Sequence, residues 1–207
     1  MLADCRQCPR LVALREQVAV DYPGYHAAPV PAWGSKRSRL LVVGLAPGMH
    51  GANRSGRPFT GDASGEFLFR ALCRAGFSSS EDAASSQLNG LRITNAVKCL
   101  PPGNRPSTSE INNCRDFLST ELQELTGRHP RRSRVVLCLG GLAHDAVAKA
   151  LGLSGTRFRH GQQLQLADAP LWLVDSYHPS RLNTNTGRLT PAMLERVLQQ
   201  ISLVLDG

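Results

Sequence analysis

The chain has 207 residues, 42% of them hydrophobic, enough to bury a sizeable core, which excludes a disordered tail, a collagen-like repeat and a small disulfide scaffold. Sixteen acidic residues against 24 basic ones leave a net charge of +8, and with lysine only at Lys36, Lys98 and Lys149 the excess is almost all arginine. Guanidinium binds phosphate bidentately, so such a surface suits a polyanion, although charge alone does not identify one.

No apolar run approaches the roughly 20 residues needed to cross a bilayer, and the opening MLADCRQCPR lacks the apolar stretch of a signal peptide. A cytoplasmic location without membrane contact is therefore expected, where cysteines serve as thiols or metal ligands rather than disulfides.

In chain order, a helix is expected over residues 11–20, directly after the first two cysteines. Apolar runs that read as buried strands follow at residues 40–45, 91–97, 135–139 and 171–174. Helical segments fall between or after them at 65–75, 109–125, 141–151 and 191–205, the last with Thr190 as N-cap and Pro191 at the first helical position. Alternating strands and helices argue for parallel strands joined by helical crossovers, hence one α/β/α domain spanning residues 1–207. The serine-rich stretch 78–86 is short enough to be a surface loop, and nothing demands more than a monomer. Each strand runs into a polar or glycine-containing sequence: Ala46-Pro47-Gly48, Lys98-Cys99, Gly140-Gly141 and Tyr177-His178-Pro179. In an open parallel sheet these ends line the ligand crevice, so residues distant in sequence can converge there.

Cys5 and Cys8 form a C-x2-C pair, and Cys99 and Cys114 supply two further thiols, one at a strand end and one in the next helix. Four soft thiolates suit zinc or an iron-sulfur cluster, and spacing alone does not choose. A structural role is expected, folding a loop that contains Arg105. Cys73 and Cys138 lie in apolar segments and read as small buried hydrophobes.

The segment GLAPGMHGANRSGRPFTGD, residues 44–62, is too long and glycine-rich for a simple strand-to-helix turn, and it matches neither the dinucleotide nor the Walker pattern. Its glycines allow close backbone approach to a ligand. Phe59 is a candidate stacking face for a base. Asp62 is a candidate acid, with an N-cap of the following helix as the plainer reading.

These residues carry a resemblance. GLAPGMHGANRSGRPFTGDASGEFLFRAL, TNAVKCLPPGNRP and SYHPSRLNTNTGRLTP, in that order, resemble the family 5 uracil-DNA glycosylases, the UDGb group of the uracil-DNA glycosylase superfamily, and the likeness runs from the first cysteine pair to the last helix. The resemblance implies a three-layer α/β/α sandwich with a central four-stranded parallel sheet, and a [4Fe-4S] cluster on Cys5, Cys8, Cys99 and Cys114. It also implies excision of damaged bases from DNA in base excision repair. The first motif, Gly44-Leu45-Ala46-Pro47-Gly48, lacks the acidic or amide side chain that better-known relatives place there to activate water. Asp62 is the natural substitute, and the departure is shared with a broad-specificity group, so hypoxanthine, xanthine and ethenocytosine are expected substrates beside uracil.

On this reading a flipped base enters a pocket formed with Gly44, Ala46, Pro47 and His50, stacks on Phe59 and presents its polar edge to Asn95. His178 stabilises the negative charge on the departing base, while Asp62 stabilises the sugar cation and orients water. Residues 181–188 reach the DNA, with Arg181 beside Leu182, which is either a wedge for the vacated space or an ordinary exposed leucine. Asn53 and Arg54 are placed at the DNA or the pocket wall. His26, His129, His144 and His160 share no metal-ligand spacing and read as surface or structural. Arg128, Arg131, Arg132 and Arg134 form a basic turn at the far end of the sheet. A backbone-cutting lyase would need an amine, for which Lys98 is the one well-placed candidate, and it is not expected. The competing class is a non-catalytic iron-sulfur nucleic-acid-binding module.

Overall fold

The computed structural model describes residues 1–127, 132–166 and 169–207. Helix α1 (Pro9–Asp21) is followed by β1 (Trp33–Gly34), β2 (Leu40–Gly44), α2 (Ala52–Ser55), α3 (Ala63–Arg74), β3 (Leu91–Asn95), α4 (Thr108–Gly127) and β4 (Arg134–Leu139). Then come α5 (Gly141–Ala150), β5 (Gln163–Gln165), β6 (Leu171–Ser176), α6 (Arg181–Asn185) and α7 (Pro191–Asp206). The sheet order is β1-β3-β2-β4-β6-β5. The four expected strands form its parallel centre, and β1 and β5 add antiparallel edges of two and three residues, too short to leave an alternating pattern in the sequence.

Strand β2 reads as an unbroken apolar run because both faces of the sheet are covered. Leu40 and Val42 pack with Leu68, Leu72, Leu194 and Leu198 of α3 and α7. Leu41 and Val43 pack on the opposite face with Leu118 and Leu122 of α4 and Val147 of α5. On β3 only one face follows this rule. Leu91 and Ile93 join the first core, whereas Arg92 and Thr94 turn toward α4 and meet charged partners, Arg92 pairing with Glu124.

Thr190 Oγ1 accepts from the Met193 N–H with Pro191 at the helix start, as the sequence indicates. The segment 181–188 opens as α6, because Ser180 caps it by accepting from the Asn183 N–H. Arg134 is not a turn residue either: it lies within β4 and is 1% exposed. Arg132 is exposed, and Arg128, His129 and Arg131 lie outside the described residues. Cys138 is fully buried in β4, while Cys73 on α3 is only half-buried. Among the described residues no helix is long and apolar enough to cross a membrane.

From β2 the chain crosses to β3 on one side, and from β3 it crosses back to β4 on the other. The carboxyl ends of β2 and β4 therefore sit where the winding reverses, the place where connecting loops diverge and leave a crevice.

Candidate active site

Four strand ends and their loops deliver the site. Gly44 ends β2 and is paired with Asn95 at the end of β3. Gly140 follows β4, and His178 follows β6. The segment after β2 folds back over these ends, so that Phe59, Asp62, Asn95 and His178 line one cavity of about 40 Å³ together with Ala46 and Gly48. A wider cleft of about 360 Å³ adjoins it, walled by Gly140, Tyr177, Asn183 and Arg188, and His178 is the wall common to both.

Missing side chains make this convergence possible. A Cβ on Gly44 would stand 2.4 Å from Asn95 Oδ1 and 2.7 Å from two ring carbons of Phe59, so the amide and the ring meet over bare backbone. Phe59 is held with φ of 52°, a conformation unfavourable for an aromatic residue and maintained by its surroundings. Its ring centroid lies 5.9 Å from that of His178 at an interplanar angle of 35°.

Asp62 serves two purposes at once. Oδ1 accepts from the Gly65 N–H at 2.9 Å and caps α3. Oδ2 is wrapped by the preceding loop, where a Cβ on Gly51 would fall 2.1 Å away and one on Gly48 3.2 Å away. The capping role the sequence offered as the plain alternative is thus real, and it fixes the orientation of the carboxylate, leaving Oδ2 at the cavity.

His178 is brought in by Asn183, whose Nδ2 donates to the His178 carbonyl at 2.8 Å. Burial lowers its pKa to about 4, opposed by the Asp62 carboxylate. The imidazole is therefore uncharged at neutral pH and carries one N–H to donate and one nitrogen to accept. Because the folded value lies below the ordinary 6.5, the unfolded chain binds more protons between the two. The stability contributed by the neutral ring is present above about pH 6.5 and is lost as pH falls toward 4. NMR titration of the His178 ring proton is expected to show a midpoint near 4, and a midpoint between 6 and 7 would contradict the burial argument.

Other residues singled out in the sequence lie elsewhere. His50 is exposed and outside the cavity, its Nδ1 2.9 Å from the Tyr25 hydroxyl in an aromatic group with Tyr22. Pro47 is buried and does not line the cavity. Asn53 cannot reach DNA: it is 0% exposed, and neither its Oδ1 nor its Nδ2 has a hydrogen-bond partner among the described residues. Arg54, Arg181 and Leu182 are exposed, Leu182 to 73%. Sequence reasoning missed Ser64 at the cavity and Asn183 and Arg188 in the cleft. All three lie inside the motif segments, but nothing in residue type separates them from neighbouring polar residues. The remaining histidines are structural where described, His144 Nδ1 lying 2.9 Å from Asp175 Oδ1 and His160 stacked on Tyr177.

The four motif cysteines also converge. Cys8, Cys99 and Cys114 share one buried cluster with Leu11 and Val97. The buried Arg15 bridges to the fourth, donating to the Cys5 carbonyl at 2.9 Å and to Cys99 Sγ at 3.7 Å. All six cysteines are free thiols. Burial pushes the Cys114 thiol up to about 11 and raises Cys99, against which the Arg15 cation pulls downward. Among the described residues no three His, Cys, Asp or Glu side chains stand ready around a single ion. The four sulfurs are gathered without closing on one point, and a buried guanidinium at their edge suits an anionic group in their midst.

An α/β sheet whose strand ends gather an aromatic face, an amide, a carboxylate and an uncharged imidazole has the groups needed to hold a flat heterocycle with acid-base side chains at hand. A profile of the uracil DNA glycosylase superfamily matches residues 31–202. The chain belongs to that superfamily, and within it to the type-5 family. It is 46% identical over 214 residues to the type-5 uracil-DNA glycosylase of Mycobacterium bovis, covering 97% of this chain and 78% of that relative. The type-5 protein of Thermus thermophilus is 44% identical over 209 residues, with coverage of 96% and 93%. A type-4 uracil-DNA glycosylase of Pyrobaculum aerophilum is 30% identical over 161 residues, covering 75% of this chain.

Proposed function

We propose that the protein is a monofunctional DNA glycosylase that hydrolyses the N-glycosidic bond of uracil in DNA, and of hypoxanthine, xanthine and ethenocytosine, leaving an abasic site. The observation that carries the reading is the single cavity shared by Phe59, Asp62, Asn95 and His178. Extruding a base from the duplex costs stacking and pairing energy, which the Phe59 ring and the Asn95 amide return in the pocket. As the bond breaks, negative charge develops on the base and positive charge on the sugar. The neutral His178 N–H stabilises the former, and the Asp62 carboxylate stabilises the latter and orients water. A base filling the cavity displaces its water, and such interactions are then stronger than in bulk solvent.

Incubation with duplexes containing each base, followed by alkali, is expected to cut the strand at uracil first. Absence of alkali-labile sites with every base would favour the binding-module reading. Outside the cavity, Arg54, Arg181 and Arg188 offer exposed guanidinium groups to phosphate, and Leu182 projects from α6 as a wedge for the space the base leaves. Leu182→Ala is expected to slow excision from duplex by on the order of tenfold and from single strands much less, because only the duplex needs the gap filled. Equal losses on both substrates would return Leu182 to an ordinary surface position.

We further infer that Cys5, Cys8, Cys99 and Cys114 hold a [4Fe-4S] cluster, on the support of the family resemblance and of the convergence of the four thiols beside Arg15. When bound it supplies a cross-link between the N-terminal segment, the end of β3 and α4, not redox chemistry at the base. Iron and sulfide assays with a visible absorption band that Cys114→Ala abolishes are expected. Stoichiometric zinc without iron would overturn the assignment.

A further inference from the structure

Lys98 stands between the base cavity and the cysteines. Its side chain is fully buried, and the ammonium donates to Thr94 Oγ1 at 2.6 Å, the Asn95 main-chain carbonyl at 2.8 Å and Glu121 Oε2 at 2.7 Å. All three of its N–H bonds are used, so the amine is not free to attack a sugar. Its main chain is committed as well. The carbonyl accepts from the Val30 N–H at 2.7 Å, and the main chain here approaches the Cys114 thiol, while the next residue is Cys99.

A buried cation persists only where its contacts are complete, because an unmade bond to it carries its full desolvation cost. The three acceptors around Lys98 are thereby held in fixed relation to one another. Two of them are β3 itself, at its last two residues. The third, Glu121, belongs to α4, the helix that also carries Cys114. Asn95, whose side chain lines the cavity, receives its main-chain position from this knot.

We propose that Lys98 is a positioning residue for base recognition: it fixes the main chain of Asn95 and ties that position to the Cys99–Cys114 arm, so disorder at the sulfurs is felt at the base-reading amide. This rests on the reading of Asn95 given above. Lys98 itself touches no substrate.

Lys98→Met alone leaves the Glu121 carboxylate buried without its cation and tests folding more than positioning. The informative pair is Lys98→Met/Glu121→Gln against Glu121→Gln, in which the glutamine oxygen replaces the carboxylate as acceptor and the amine keeps its bonds to Thr94 and the Asn95 carbonyl, so that the cost of the lost charge pairing is read in the thermal midpoint of the single variant. Each is compared with the parent for thermal midpoint, DNA affinity, the Asn95 side-chain amide resonances and single-turnover excision of uracil and hypoxanthine. The double variant is expected to bind DNA within about threefold of the parent but to excise uracil about 10- to 100-fold more slowly. Its uracil-to-hypoxanthine ratio and Asn95 resonances are expected to shift, while both stay near parental in Glu121→Gln. A merely structural role would lower both substrates equally, and that result, or a folded double variant with parental rates and resonances, overturns the proposal. Hydrogen exchange at residues 95–98 tests the tie to sulfur: Cys114→Ala is expected to raise it, and unchanged protection refutes the coupling. A parent that excises no uracil would sink the functional reading instead, and the resonance and exchange measurements would still decide whether Lys98 orders Asn95.

Discussion

Asp62→Asn is expected to lower single-turnover excision of uracil by about two to four orders of magnitude while leaving the fold and DNA affinity near parental. The substitution isolates charge from structure. Asparagine is as good an N-cap as aspartate, so its amide oxygen can still accept from the Gly65 N–H that Asp62 Oδ1 now holds at 2.9 Å. What disappears is the negative charge beside the developing sugar cation and the acceptor that orients water. Asp62→Ala loses the cap as well and is expected to cost about 1 kcal/mol of stability in addition. The comparison of the two by thermal unfolding and single-turnover kinetics separates the two duties of one side chain. If Asp62→Asn excises at the parental rate, the carboxylate is a cap alone and the water must be oriented elsewhere.

Gly44→Ala is the second substitution with a large expected effect, and it adds only a methyl group. That methyl would stand 2.4 Å from Asn95 Oδ1 and 2.7 Å from the Phe59 ring, distances that require movement. Strand β2 cannot supply it, since it is hydrogen-bonded to β3 on one side and β4 on the other and buried throughout. The amide and ring must move instead, and a displacement near 1 Å at a reacting centre is worth about a hundredfold in rate. Uracil excision is therefore expected to fall by about that factor, with DNA affinity nearly unchanged because the exposed arginines are untouched. An active Gly44→Ala protein would show that Phe59 and Asn95 do not grip the base together over that glycine.

Much of this arrangement was legible in the residues. The four apolar runs, the Thr190-Pro191 helix start and the motif segments placed every central strand and brought Asp62, Phe59, Asn95 and His178 to one edge of the sheet. His50, Pro47 and Asn53 were read as site residues because they share the glycine-rich segment with Asp62. Proximity in sequence says nothing about which side of a folded loop a residue takes: Asn53 turns fully inward while Arg54, its neighbour, turns out. The edge strands left no signal, since two and three residues cannot display a period. Lys98 gave no hint of its enclosure, because lysine is ordinarily a surface residue and only the approach of α4 supplies Glu121.

The sequence by itself determined the α/β order, the start of the last helix, the cysteine set and the residue types from which a base pocket can be built, because periodicity, capping and motif spacing are local properties of the chain. Tertiary structure alone decided which of those residues face the cavity, that burial leaves His178 uncharged, and that Arg15 and Lys98 connect the sulfurs to the sheet. These outcomes depend on groups more than a hundred residues apart in the chain sharing one site, and distance through space, not along the chain, governs desolvation and hydrogen bonding.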